Sequence, residues 1–298
     1  MIENLLAQIS ADRIHEHIRA LEGVRHPVTA PEALQRAEDY IHAYLRALTY
    51  QVELHPFTLD GREFQNIIAT RTGVRHPDKR LLIVAHYDTV ENSPGADDNA
   101  SGVAVLLELA RVLQPVELDR TVQLVAVNLE ERQGEGSLEE ACLCGSRALA
   151  IDAKKQGWDI EGVFVLETVA YAGKQVVQKM PDGLPLKLPE AGDFIGLVGN
   201  EASRELVGAM MQAIGRYQLP LPAVPLVVPG NGEILPDTRR SDHAPFWDKG
   251  YPAVMVTDTA NFRSPHYHQP TDTLETLNIP FAAEVCRAVV ATVVDLTG

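Results

Sequence analysis

Apolar residues recur along this chain with two different periods. At residues 31–48, Leu34, Ala37, Ile41, Leu45 and Leu48 lie three or four positions apart, which is one stripe of an amphipathic helix. Pro31 stands near its start, where a missing N–H is tolerated. Residues 1–23 read as an earlier helix of the same kind. Residues 50–58 and 64–71 read as strands joined through Asp60-Gly61, a hairpin signal. Unbroken apolar runs at 81–85, 122–127, 163–166 and 253–256 predict buried strands. Helical patterns at 101–113, 145–156, 202–217 and 279–296 fall between or after them. Alternation of this kind predicts an α/β fold: a three-layer sandwich with a mixed, mostly parallel central sheet and helices on both faces. Segments 174–193 and 219–240 are rich in Pro and Gly and read as long loops, which in compact domains tend to be functional or mobile. No repeat, low-complexity tract or linker divides the chain, so residues 1–298 are expected to form one domain.

The informative feature is the set of residues that ends each apolar run. Residues 81–85 lead into His86-Tyr87-Asp88, 122–127 into Asn128-Leu129-Glu130-Glu131, and 163–166 into Glu167. Beyond 253–256, a short loop reaches Ser264-Pro265-His266-Tyr267-His268. Between the first run and its helix sits Gly95-Ala96-Asp97-Asp98-Asn99-Ala100-Ser101-Gly102. Open α/β sheets bind ligands at the carboxyl ends of their strands, so these side chains are expected at one sheet edge. Asp98 and Asn99 are equally candidates to cap the following helix, and His266 reads as a loop residue. Asp97, Glu131 and Glu167 crowded together would repel one another, and arginine is scarce beside these motifs, so a bound cation is the economical remedy. A mixed His and carboxylate set suits zinc, or less specifically manganese or cobalt. Asp88, two residues after His86, can take the other imidazole N–H and fix its tautomer.

Composition narrows the partners. Lys+Arg 26 against Asp+Glu 41 gives a formal net charge of -15, which argues against nucleic acid and anionic membrane surfaces. No run is apolar for long enough to span a bilayer, and residues 1–10 lack the pattern of a signal peptide. The three cysteines, Cys142, Cys144 and Cys286, do not look like a disulfide framework, so a reduced, cytoplasmic setting is expected. Neither a Gly-x-Ser-x-Gly nucleophile elbow nor a Walker-type phosphate loop is present.

Taken in order, His86-Tyr87-Asp88-Thr89-Val90, Pro94-Gly95-Ala96-Asp97-Asp98-Asn99-Ala100-Ser101-Gly102 and Glu130-Glu131 resemble the dinuclear zinc aminopeptidases of metallopeptidase family 28. Ser241-Asp242-His243-Ala244-Pro245-Phe246 and Tyr267-His268-Gln269-Pro270-Thr271-Asp272-Thr273 are similar to that family's closing segments. The resemblance implies two divalent ions, with Asp97 bridging them, His86 and Glu167 completing one site, and Glu131 and His268 the other. It implies Glu130 as general base, Asp88 as the residue orienting His86, and a cis peptide at Asp97–Asp98. The implied reaction is removal of N-terminal residues from peptide or aminoacyl substrates. The sequence departs from the family in three ways. Glu167 stands where Asp is common, 132–144 is longer than usual and carries Glu135, Glu139 and Glu140 as a candidate rim, and no lid domain is present. Rival readings are a glutaminyl-cyclase-like enzyme, a carboxypeptidase-like enzyme using Arg239, Arg240 or Arg263 for a substrate carboxylate, and a non-catalytic binding protein on the same fold. Tyr171, Phe246, Phe262 and Tyr267 are candidates to line a substrate pocket; oligomeric state and side-chain preference are left open.

Overall fold

A computed structural model describes residues 2–131, 142–184 and 186–298. The expected rim at Glu135, Glu139 and Glu140 lies outside the described residues. Asp60 and Gly61 both adopt positive φ, 50° and 76°. They join β1 (Gln51–Leu59) to β2 (Arg62–Arg71) in the expected antiparallel hairpin. The apolar runs become β3 (His76–His86), β4 (Arg120–Val127), β5 (Asp159–Glu167) and, later in the chain, β10 (Ala253–Thr257). Before β10 come the short pair β6 (Gly173–Val177) and β7 (Ala191–Gly192), then β8 (Ile195–Asn200) and β9 (Ala223–Val228). The main sheet has eight strands in the order β1-β2-β4-β3-β5-β10-β8-β9. Its centre, β4-β3-β5-β10, is parallel, while β2 on β4 and β8 on β10 run antiparallel.

Two segments expected to be loops therefore contain strands. The 219–240 segment holds β9 at the sheet's edge, where Pro225 is tolerated because no further strand needs its N–H. The 174–193 segment holds most of the β6–β7 pair.

Period two along the strands separates the layers. Ile83, Ala85, Leu124, Phe164, Leu166 and Val254 point to one side. There they pack with α2 (Ala11–Leu21), α3 (Pro31–Ala47), α4 (Gly102–Leu113), α6 (Arg204–Arg216) and α8 (Ile279–Thr297). Leu82, Val84, Val125, Val163, Val165 and Met255 point to the other, against α5 (Cys144–Gln156) and α7 (His243–Asp248). Among the residues of α4, Arg111 alone keeps substantial solvent exposure, which is why its sequence is apolar almost all round.

The single helix expected over 1–23 is two, α1 (Ile2–Leu6) and α2. Ser10 separates them: its side chain accepts from the Arg13 N–H, and its own N–H donates to the buried Glu108 carboxylate at 2.7 Å. Cys142 and Cys144, expected to be reduced, are joined in a disulfide, and Cys286 is free and buried. Among the described residues, no helix is long and apolar enough to cross a membrane.

His243, in α7, and His17, in α2, are buried, and burial lowers both pKa values to about 4. His243 Nε2 meets the Thr238 carbonyl at 2.7 Å and its ring packs edge-on against Trp247. In the unfolded chain each regains a value near 6.5. Between pH 6.5 and 4 the unfolded state thus binds more protons, so stability falls as pH falls through that window and is complete above it. In urea denaturation these two histidines are expected to contribute a loss of a few kcal/mol between pH 7 and pH 4.5. His243→Gln, which cannot protonate, is expected to remove part of that loss.

Candidate metal centre

The carboxyl ends of β3, β4 and β5 converge as expected, and unusual backbone conformations aim their side chains. Leu129, Thr168 and His268 adopt left-handed φ values of 57°, 47° and 58°. Leu129 breaks the alternation at the end of β4, so that Glu130 and Glu131 come after a turn rather than along an extended strand. Gly145 lets α5 start directly against that turn: a Cβ there would lie 2.3 Å from the Asn128 carbonyl oxygen. Cys144 and Gly145 donate their N–H groups to the carbonyls of Leu129 and Asn128 at 2.8 and 3.0 Å.

Six side chains meet in this cleft. His86 Nε2 lies 3.3 Å from Asp98 Oδ1 and 3.5 Å from Glu167 Oε2. His268 Nε2 lies 3.1 Å from Asp98 Oδ2 and 3.1 Å from Glu131 Oε2. Asp98 therefore presents one carboxylate oxygen to each histidine. Glu130 joins His86 and Glu167 in one cluster, and His86, Asp98 and Glu131 form a second; each set of ligand atoms lies within 4.8 Å. All but His268 are buried.

The aspartate between the histidines is Asp98, not Asp97. Asp97 Oδ1 accepts the Ala170 N–H at 3.0 Å, which turns its carboxyl away from the cleft toward Asp258. Burial and the neighbouring Asp258 push the Asp97 pKa well up, so it is the protonated partner of that pair. Adjacent residues point in different directions, and only one of two neighbouring acids can face the clustered histidines. The cis peptide likewise falls one residue later than expected, at Asp98–Asn99.

Backbone anchors hold the cluster. The Asp88 carboxylate accepts the N–H groups of Glu130 and Glu131 at 3.0 and 3.1 Å, and its Oδ1 lies 3.6 Å from His86 Nδ1. Asp272, unassigned from sequence, does the same for Asp97 and Asp98, accepting their N–H groups at 2.9 and 3.2 Å. Asn99 ties the start of α4 to the end of β5 through Leu166 O at 2.7 Å and the Thr168 N–H at 3.2 Å. Ser241 donates its hydroxyl to Glu167 at 2.7 Å. His266 pairs with Thr271 at 2.9 Å and packs on Tyr171, apart from the cluster.

Arg25, invisible to motif reading, is buried beneath the site. Its guanidinium donates to the carbonyls of Leu21, Gly23, Tyr87, Pro94 and Gly95. It thus clamps the loop carrying Asp98 and places a positive charge near Asp88, Asp272, Asp98 and Glu131. Arg25→Met would strip several buried carbonyls of their donors, and is expected to cost about 3 kcal/mol or more. Thermal unfolding of the variant should show a midpoint lower by roughly 5 °C or more.

The electrostatics are those of a site built for cations. Burial pushes the Glu130 pKa well up, with Glu131, Glu167 and Asp242 adding to the rise. Burial and Asp98 raise Glu131 to about 8. Burial opposes ionisation of Asp98 too, but the two imidazoles beside it outweigh that and hold it below the usual carboxylate range. Yet His86 Nε2, His268 Nε2 and both Asp98 oxygens are buried without an aligned hydrogen bond. Their separations of 3.1–3.5 Å match the edge of a tetrahedron, about 3.3 Å, drawn by N and O ligands some 2.0–2.1 Å from one zinc ion. The donor set fits divalent metal.

Histidines and carboxylates gathered at the carboxyl edge of such a sheet place the protein among zinc-exopeptidase-like folds. The chain belongs to peptidase family M28, whose model matches residues 66–293. It is 32% identical over 299 residues to YfbL, an uncharacterized protein of Escherichia coli K12, covering 94% of this chain and 87% of that one. It is 30% identical over 245 residues to leucine aminopeptidase 1 of Trichophyton equinum, covering 78% of this chain and 57% of that protein. LapB of Legionella pneumophila superposes with a TM-score of 0.77 at 20% identity, over 99% of this chain and 74% of that one. A glutaminyl cyclase of Porphyromonas gingivalis superposes with a TM-score of 0.74 at 21% identity, over 97% and 99%. At those identities the two structures speak to the fold.

Proposed function

We propose that this protein is a dinuclear metallo-aminopeptidase that removes apolar N-terminal residues from peptides. The observation that carries the reading is Asp98 set between His86 and His268, with Glu130 beside them. His86 and Glu167 would hold one ion, Glu131 and His268 the other, and Asp98 would bridge both. Bound divalent ions, most naturally zinc, supply Lewis acidity toward the scissile carbonyl and bring the pKa of a water near 7.

The chain's own residues do the rest. Glu130 takes the proton from the attacking water and returns it to the leaving amine. Asp88 keeps Glu130 in place through its backbone N–H. The surplus of carboxylates meets the substrate's α-ammonium group. Glu167 opens onto a cavity walled by Leu188, Phe194, Val198, Leu226, Met255 and Phe262. An apolar first side chain entering that cavity loses its contact with water, which favours binding. Of the residues expected to line a pocket, Phe262 and Tyr267 do so, whereas Phe246 is buried in the core and Tyr171 packs on His266.

The test is metal analysis of the pure protein together with cleavage of aminoacyl chromogenic amides, with and without chelator. Leucyl and phenylalanyl amides should be cleaved, and chelation should abolish turnover. The nearly full-length likeness to a glutaminyl cyclase keeps one rival in view. A protein that cyclises an N-terminal glutamine but leaves leucyl amides intact would replace this reading.

A further inference from the structure

Three arginines were candidates to meet a substrate carboxylate, and the structure separates them. Arg239 is committed to Asp248 through two contacts at 2.8 and 3.0 Å and to the Asn231 carbonyl at 2.7 Å. Arg263 is buried, bonded to Gln178 at 2.9 Å, and stacked on Phe194. Arg240 is different. Among the described residues, its guanidinium reaches only Asn261 at 3.1 Å, Tyr267 at 3.5 Å and one oxygen of Asp237 at 3.5 Å. The Asp237 contact joins two side chains that are 43% and 44% exposed, so it is a weak ion pair that exchanges easily for a better carboxylate.

Its position matters as much as its looseness. Arg240 lines the mouth of the same cavity as Glu167 and Tyr267. The Tyr267 ring stacks on His268 with centroids 3.9 Å apart, and Glu130 is among the charges that act on Arg240. Arg240 is therefore joined to the His268 end of the cluster through one side chain, Tyr267, and it adjoins in sequence the Ser241 that holds Glu167. An uncommitted cation at the rim of an anionic site, in a chain of net charge -15, is suited to capture a single carboxylate.

We propose that Arg240 receives the C-terminal carboxylate of short peptides, so that the preferred substrates are dipeptides with an apolar first residue. The proposal rests on the aminopeptidase reading and sharpens it. In a dipeptide the free carboxylate lies one residue, about 3.6 Å of chain, beyond the scissile bond. In a longer peptide the same position is a neutral amide, which gains far less from a guanidinium.

The test compares the metal-loaded wild type with Arg240→Gln and Arg240→Lys on Leu-Gly, its C-terminal amide Leu-Gly-NH2, and Leu-Gly-Gly. Wild type is expected to cleave Leu-Gly about tenfold or more faster in kcat/KM than the amide or the tripeptide, the size of one hydrogen bond to a charged group. Arg240→Gln should bring the ratios close to one, and Arg240→Lys should keep part of them. The difference should lie mainly in KM. Binding of uncleaved Leu-Gly and its amide to Glu130→Gln, followed by calorimetry, should show the same preference without turnover. Ratios near one in wild type, or ratios that survive in Arg240→Gln, overturn the assignment and leave the aminopeptidase reading standing, since all three substrates are still cleaved. Failure of wild type to cleave any of them overturns both.

Discussion

Asp98→Ala is expected to lose divalent metal at both positions and, with it, all measurable peptidase activity. Among the described residues, Asp98 is the one carboxylate with an oxygen toward each histidine, at 3.3 Å from His86 and 3.1 Å from His268. Its removal leaves His86 with Glu167 and His268 with Glu131, two incomplete sets that no longer share a ligand. The loss of affinity should exceed the roughly 10- to 100-fold typical of mutating a residue that only orients a ligand. Calorimetric zinc titration and metal analysis read it directly. Asp97→Asn is the informative partner. Asp97 faces Ala170 and Asp258 and is already the protonated member of its pair, so an amide there should leave metal stoichiometry intact. If Asp97→Asn emptied the site and Asp98→Ala did not, the orientation of the two carboxylates would have to be reversed.

Glu130→Gln is expected to separate metal binding from turnover. Glu130 is buried at the cluster's edge, held by Asp88 through its N–H, and surrounded by Glu131, Glu167 and Asp242, which with burial raise its pKa. The amide fits the same space but cannot accept and return a proton. A general base is typically responsible for about 10²–10⁴-fold in rate, so kcat should fall by that factor while bound metal stays near the wild-type amount. Metal analysis beside steady-state kinetics on a leucyl amide distinguishes this from a folding defect. A variant that turned over at the wild-type rate would remove Glu130 from the chemistry.

Much of the fold and of the metal cluster is legible in the amino-acid pattern. The apolar runs at 81–85, 122–127 and 163–166 are strands of a sheet buried on both faces, and the polar residues that follow each run emerge at the same edge. Four kinds of detail are not legible. Asp97 and Asp98 are chemically identical and adjacent, so the pattern holds no information on which one faces the histidines; that depends on backbone angles at Asp98 and Asn99. Strands β8 and β9 are short, contain Gly196, Gly199 and Pro225, and owe their conformation to pairing with β10 and with each other. Arg25 acts through backbone carbonyls, which carry no side-chain signature. Cys142 and Cys144 are separated by one residue, a spacing that gives no hint of their pairing.

The cavity beside Glu167 and the Arg240 at its mouth give the site a direction. The apolar wall offers a place for the first side chain, the carboxylates for the α-ammonium group, and the guanidinium for a charge at the far end. A short peptide carries all three features within two residues, which a long chain does not.

The most direct test is anomalous diffraction at the zinc absorption edge from crystals of the metal-loaded protein. Two peaks are expected, one beside His86 and Glu167 and one beside His268 and Glu131, with the Asp98 carboxylate between them. A single peak, no peak, or density centred on Asp97 would contradict the account.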